Sequence, residues 1–391
     1  MRKLKKTQII VIGLISLIGV FFLVSIIVNK TRNTSYDQLD KIEKNMFQQL
    51  SSIYTAFENS NDTLWNSNYR LDKKPLILLR VNQDNSTNWA YAYAINIEGM
   101  ENWITAKEIK MPESLHLPQI YRIAKFDPFF IKLNFIGNFA TRKINGTKTF
   151  SLKYHPDLVK NPPLQHDFSS FLIHESFHAF KQENWLYDQN GDDINNFPYN
   201  LENLALIHLE LKLLDKALYT EDENITKEAL KEWTIIRTYR YNKWPQLKDE
   251  QKAEAIEGTA TYMEIVYNKL TTNTSKENTT TFFDQMFLNL VKKPISDSRF
   301  GEETALERSI RYSTGAALGL IMDKIKMDWK KQIEDSSKTR GKAQYEILKN
   351  YYELTETNNL KSQIEKIKLK YNYDKSVKLS EELITNIKSK K

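Results

Sequence analysis

The stretch "FLIHESFHAF", Phe171 to Phe180, holds two of the chain's six histidines four residues apart, with a glutamate directly after the first. On a helix, positions i and i+4 share one face about 5 to 6 Å apart, so His174 and His178 can offer two imidazole nitrogens to one ion. Glu175 projects to the side of that face, where its carboxylate can take the proton of a water molecule attacking a carbonyl. These residue types suit metal-assisted hydrolysis. The competing reading is an ordinary buried helix, because Phe168, Phe171, Phe177 and Phe180 make the segment apolar. Against that reading, two imidazoles and a carboxylate are costly to bury unless something pairs with them.

A catalytic metal of this type needs a third protein ligand and an open position. The chain has no cysteine, which excludes disulfides, a thiol nucleophile and thiolate ligands, so the third ligand is His, Asp or Glu. Position 184, where a nearby histidine would stand, is Asn184, and the later stretch "NFPYN" holds no acid. The ligand therefore comes from further away. The richest supplier is "AEAIEGTATYMEIVY", residues 253–267, whose Glu254, Glu257 and Glu264, with Glu250 just before it, draw a carboxylate stripe along a helix. Such a stripe repels itself and is relieved either by water or by a cation in front of it. Gly258 in mid-helix costs about 1 kcal/mol, and with Ala253 and Ala260 it leaves room for another helix to approach. Arg237 and Arg240, on the helix before the stripe, can pair with Glu250 or Glu254.

"HESFH" followed by "IEGTATY" resembles the gluzincin zinc metallopeptidases, with their HExxH and EGxAxY segments. The resemblance implies a zincin-like catalytic body and one zinc ion per chain, held by His174, His178 and Glu257, with Glu175 as general base. Glu254, one turn earlier, is the reserve ligand and Glu202 a remote one. "RYSTGAALGLIMDKI" resembles the Y-x-x-G-A segment of aminopeptidase N-like gluzincins, which implies that the Tyr312 hydroxyl stabilises an oxyanion. The activity implied is hydrolysis of peptide or protein substrates. The alternative is a binding or sensor protein of the cell envelope that keeps the scaffold without turnover. "EGMEN", residues 98–102, reads as a turn after a strand, and His208 as a core histidine.

The elements that position these residues begin after the basic "MRKLKK", where an unbroken apolar run from Ile9 to Val28 matches a bilayer's hydrocarbon thickness. The run ends "LVSIIVNK", without the small residues of a cleavage site, and reads as a retained anchor. Excess basic residues before it place the amino terminus in the cytoplasm and everything after residue 30 outside. Residues 31–165 read as β-rich, with strands at "PLILLRV", "WAYAYAINI", "IYRIAKF", "FFIKLNF" and "KTFSLKYH", the last extended to "KTFSLKYHP" as a sheet edge for strand addition by a peptide. Residues 166–335 read as a helical catalytic part and 336–391 as a helical basic tail. Together they give an α+β fold in which a small mixed sheet precedes a mainly helical body. Much of the net charge of +7 sits in the anchor flank and tail, consistent with a solvated surface or contact with an anionic envelope polymer. No basic motif interleaved with aromatics points to nucleic acid. The loop "DQNGDDINN", 188–196, places Gly191 too early for a calcium loop and reads as a plain turn.

Overall fold

In the computed structural model the apolar run after the basic terminus is one helix, α1 (Lys6–Thr31). Its stretch Ile10–Thr31 is long and apolar enough to cross a membrane. The structure describes residues 6–60, 64–135, 137–160, 167–187, 194, 196–271, 281–292, 305–336, 338–354 and 359–389. Most of the loop at 188–196, His166 and most of the polar stretch 271–281 thus lie outside the described residues. The chain forms two units, residues 1–181 and 182–391.

In the first unit, short runs of β-branched and aliphatic residues make a mixed sheet of six strands. These are β1 (Leu76–Arg80), β2 (Ala92–Ile95), β3 (Ala106–Ile109), β4 (Ile120–Ile123), β5 (Phe139–Ile144) and β6 (Thr147–Tyr154), in the order β3-β4-β2-β1-β6-β5. β1 runs parallel to β6 and the other neighbours are antiparallel. Ile77, Leu79, Ala94, Ile123 and Phe130 form a buried cluster, against which Trp103 packs. Among the described residues of this unit, three α-helices accompany α1: α2 (Lys41–Asn59), α3 (Pro156–Lys160) and α4 (Phe168–Phe180).

Two strand expectations are corrected. "FFIKLNF" forms a 3-10 helix over Ile131–Phe135, because Asp127 turns the chain by accepting from the backbone N–H of Phe129 and Phe130. "KTFSLKYHP" is not an edge: β6 lies between β1 and β5. The cause is legible afterwards, since Asn145 and Gly146 both take positive φ and fold β5 onto β6 in a tight hairpin. "EGMEN" is the expected turn, with Gly99 at φ 80° leading into a 3-10 turn at Met100–Asn102.

The second unit is helical among its described residues: α5 (Leu201–Tyr219), α6 (Glu223–Lys243), α7 (Glu250–Thr271), α8 (Phe282–Lys292), α9 (Ile310–Lys324), α10 (Lys330–Ile333), α11 (Gln344–Tyr351), α12 (Leu360–Lys370) and α13 (Tyr373–Ser389). A π-helical turn, Ala305–Ser309, leads into α9. Helices α7 and α9 run parallel, with Glu250 beside Arg311, Glu254 beside Thr314 and Tyr262 beside Asp323. The room anticipated at Gly258 is filled by α9: a Cβ on Gly258 would meet the Cα of Gly315 at 2.6 Å, and one on Gly315 would meet the carbonyl of Glu254 at 2.5 Å. Glycine at both positions is what lets these backbones touch.

Candidate metal centre

Helix α4 begins where Asp167 accepts a hydrogen bond from the Ser170 N–H at 2.8 Å. Its core face carries Phe168, Leu172, Ile173, Ser176 and Phe177, all buried. Phe177 stands edge-on to Trp65 and Tyr69, and the Tyr69 hydroxyl lies 3.2 Å from Ser176 Oγ. With that face anchored, His174, Glu175 and His178 fall on the other, half-buried side, so the two histidines are not core residues. Their rings stand edge to face with centroids 4.8 Å apart. The Lys148 ammonium of β6 donates to the carbonyl of Ala179, satisfying the negative end of the helix.

Four residues past His178, the side-chain amide of Gln182 donates to the carbonyl of Ile256 at 2.8 Å and to Thr259 Oγ1 at 2.7 Å. Those partners flank Glu257 on its own turn of α7. His174, His178 and Glu257 form a group able to hold a metal ion: one ligand atom from each lies within 4.8 Å of the others. Two imidazole nitrogens and a carboxylate oxygen suit zinc and other borderline divalent ions. The donor set fits a metal.

The remaining glutamates of the stripe do different work. Glu250 and Glu254 are buried, and three buried arginines neutralise them together with Glu210 of α5. Arg240 reaches Glu250 at 2.8 Å and Glu210 at 3.0 Å; Arg237 reaches Glu210 at 2.9 Å and Glu254 at 3.0 Å; Arg311 of α9 reaches Glu250 at 2.8 Å. Thr314 Oγ1 donates to Glu254 at 2.7 Å, and Asn203 accepts from Arg240 at 2.8 Å. The repulsion along the stripe is therefore relieved by arginines at its first two members. Glu254 is committed to Arg237 and Thr314, and Glu202 to Tyr239 and Lys243.

Two outcomes follow from this division. Glu257→Gln should weaken metal binding strongly with little change in stability. Glu254→Gln should keep the metal in folded protein but destabilise it by about 3 to 5 kcal/mol, because an arginine loses its buried partner. Metal stoichiometry and urea unfolding of both variants check this, and the opposite order would move the ligand by one turn. The second outcome concerns pH. Burial alone would raise the Glu250 carboxyl, but Arg240, Arg311 and Arg237 outweigh it and hold the pKa down to about 2 from 4.5. A depressed carboxylate stabilises the fold above its unfolded pKa and loses that contribution as pH falls through the folded value. Stability measured by denaturant titration should therefore drop between pH 4.5 and about 2. In Glu250→Gln this share of the acid dependence should vanish.

No protein-family model, no curated protein and no solved structure matches this chain.

Tyr312 is half-buried in the first turn of α9. One turn earlier, Arg308 places its guanidinium 6.0 Å from the Tyr312 ring centre and 3.9 Å from Glu257 Oε1. Arg308 thus connects the candidate ligand to the candidate oxyanion donor, and the sequence reading did not single it out. The available signal was its spacing of four from Tyr312, which puts both on one helical face. His208 is a buried core residue: its ring nitrogens meet Ser376 Oγ at 2.9 Å and Asp284 Oδ1 at 2.7 Å, and it stacks on Phe287. Burial pushes this imidazole below its ordinary pKa, although Asp284 opposes the shift. The Ser376–His208–Asp284 chain mimics a hydrolase triad, but Ser376 is wholly buried and out of reach of a substrate carbonyl.

Proposed function

We propose that this chain is a membrane-anchored zinc metallopeptidase with α1 as its anchor and its catalytic residues outside the cytoplasm. The observation that carries the reading is the gathering of His174, His178 and Glu257 donor atoms within 4.8 Å, with Glu175 next to the first histidine on the same helix. His174, His178 and Glu257 hold the ion. When bound, zinc polarises the scissile carbonyl and lowers the pKa of water. Glu175 accepts the proton as the water oxygen bonds to the carbonyl carbon, then delivers it to the departing amine nitrogen as the C–N bond breaks. Tyr312 donates its hydroxyl proton as a hydrogen bond to the developing oxyanion. Arg308 fixes the Glu257 carboxylate. An extended peptide can add to the sheet at β5, the strand that ends it on that side.

The test is metal analysis of the full-length protein in detergent, coupled to cleavage of a broad peptide library. The expected results are about one zinc per chain, lost in His174→Ala, and cleavage that a chelator abolishes. Stoichiometric zinc in His174→Ala, or zinc with no cleavage of any library member, would overturn the proposal.

A further inference from the structure

The carboxyl-terminal end of α1 is hydrogen-bonded directly to the sheet region. Phe22 is half-buried while Ser25, Ile26 and Asn29 are buried, a spacing that marks one covered helix face, and α1 packs against β3. The Asn29 amide donates to the carbonyls of Thr105 and Arg122, both at 2.9 Å. Arg122, 2% exposed, returns hydrogen bonds to Asn29 Oδ1 at 2.7 Å and to the carbonyls of Asn29, Arg32 and Asn33, which closes the open carbonyl end of the helix.

Depth follows from helical rise. If the apolar run fills a hydrocarbon core of about 30 Å, Ser25 and Phe22 lie about 5 to 9 Å inside its outer boundary. Whatever covers them lies near the same depth. The covering region carries an apolar surface. Ile104, 70% exposed, precedes Thr105, whose hydroxyl donates to Asp127 at 2.6 Å. Asp127 in turn shapes the loop that presents Phe126 and Phe129. Trp89 lies 6.0 Å from Phe126 and 6.3 Å from Phe135, ring centre to ring centre, and Phe135 is 74% exposed. Scattered exposed apolar side chains are ordinary, but rings in mutual contact make a patch. Lys132, within the same stretch, and Lys30, next to Asn29 at the helix end, are exposed and suited to phosphate headgroups.

We infer that the loops before β2, before β3 and after β4 are a membrane-docking surface, in which Ile104, Phe126, Phe129, Phe135 and Trp89 sit in the interfacial layer of the bilayer that α1 enters. The inference rests on the reading of α1 as a membrane span. Aromatic rings are at home at that level, and an apolar face settles about 5 to 10 Å into the headgroup and acyl boundary. The occupant is lipid because the patch continues from a helix end fixed by six hydrogen bonds to Asn29 and Arg122. Where the helix enters the bilayer, the loops follow.

The absence of native cysteine makes the test direct. Single-cysteine variants of the full chain, Ile104→Cys, Phe135→Cys, Ile18→Cys and Glu58→Cys, are labelled with an environment-sensitive fluorophore. They are then reconstituted into phosphatidylcholine vesicles containing doxyl-labelled phosphatidylcholine. Glu58 is exposed near the far end of α2, about 26 Å from that helix's start. Labels at 104 and 135 should be quenched at least about threefold more than the label at 58, with 18 quenched as a buried span requires. Quenching at 18 with 104 and 135 no different from 58 overturns the docking surface and leaves the anchor standing. An unquenched label at 18 overturns the anchor and the docking surface together.

Discussion

Glu175→Gln is expected to keep its metal and its fold while losing about 10²- to 10⁴-fold in turnover. The amide is nearly isosteric with the carboxylate, so packing on the half-buried face of α4 is preserved. It has no basic oxygen to take a proton at neutral pH, however, and the attacking water must then lose its proton to solvent. Because Glu175 lies outside the His174, His178 and Glu257 group, zinc content should match wild type. Steady-state kinetics with metal analysis on the same preparation decides the matter. Turnover within a few-fold of wild type would remove Glu175 as the base, whereas loss of zinc along with activity would make it part of the ligand set.

Tyr312→Phe should lower turnover by about 100- to 1,000-fold, the worth of one oxyanion donor. The substitution removes one hydroxyl and keeps the ring that Arg308 faces. A donor used only in the transition state lowers kcat and kcat/KM together and leaves substrate binding alone. Zinc content and unfolding free energy should barely change, since Tyr312 is half-buried and the close α7–α9 contact rests on Gly258 and Gly315 instead. If turnover falls less than about fivefold, or stability falls in step with turnover, the tyrosine is structural and the oxyanion donor lies elsewhere.

How much of this was legible depended on how local the information was. The histidine pair of α4 was readable because positions four apart share one helical face without reference to anything distant, while Phe168 and Phe177 fall on the buried face. The close approach at Gly258 was readable for the same reason: a glycine costs a helix stability unless something uses the space. In the stripe of glutamates, the pairing of Arg237 and Arg240 with Glu250 and Glu254 was legible. The other two members of the cluster, Glu210 and Arg311, were not legible, because they come from helices about 40 and 60 residues away. Arg308 escaped notice because its role depends on where Glu257 sits across two helices. Among the strands, β3 and β5 are too short or too polar to announce themselves. "FFIKLNF" has strand composition, and only the Asp127 side chain bonding to the following N–H groups turns it into a helical turn.

The three arginines and three glutamates buried between α5, α6, α7 and α9 also constrain how this region comes apart. Each charge is sealed from water, so any partly opened form that frees one helix leaves charges without partners in a dry interior, at a cost of several kcal/mol each. Intermediates of that kind are sparsely populated, and the four helices are coupled into one opening unit. Their slowest-exchanging amide protons should therefore share a common opening free energy, while the ends of α12 and α13 exchange earlier. The turn bearing Glu257 belongs to that unit, so its geometry is held by the most resistant part of the helical body.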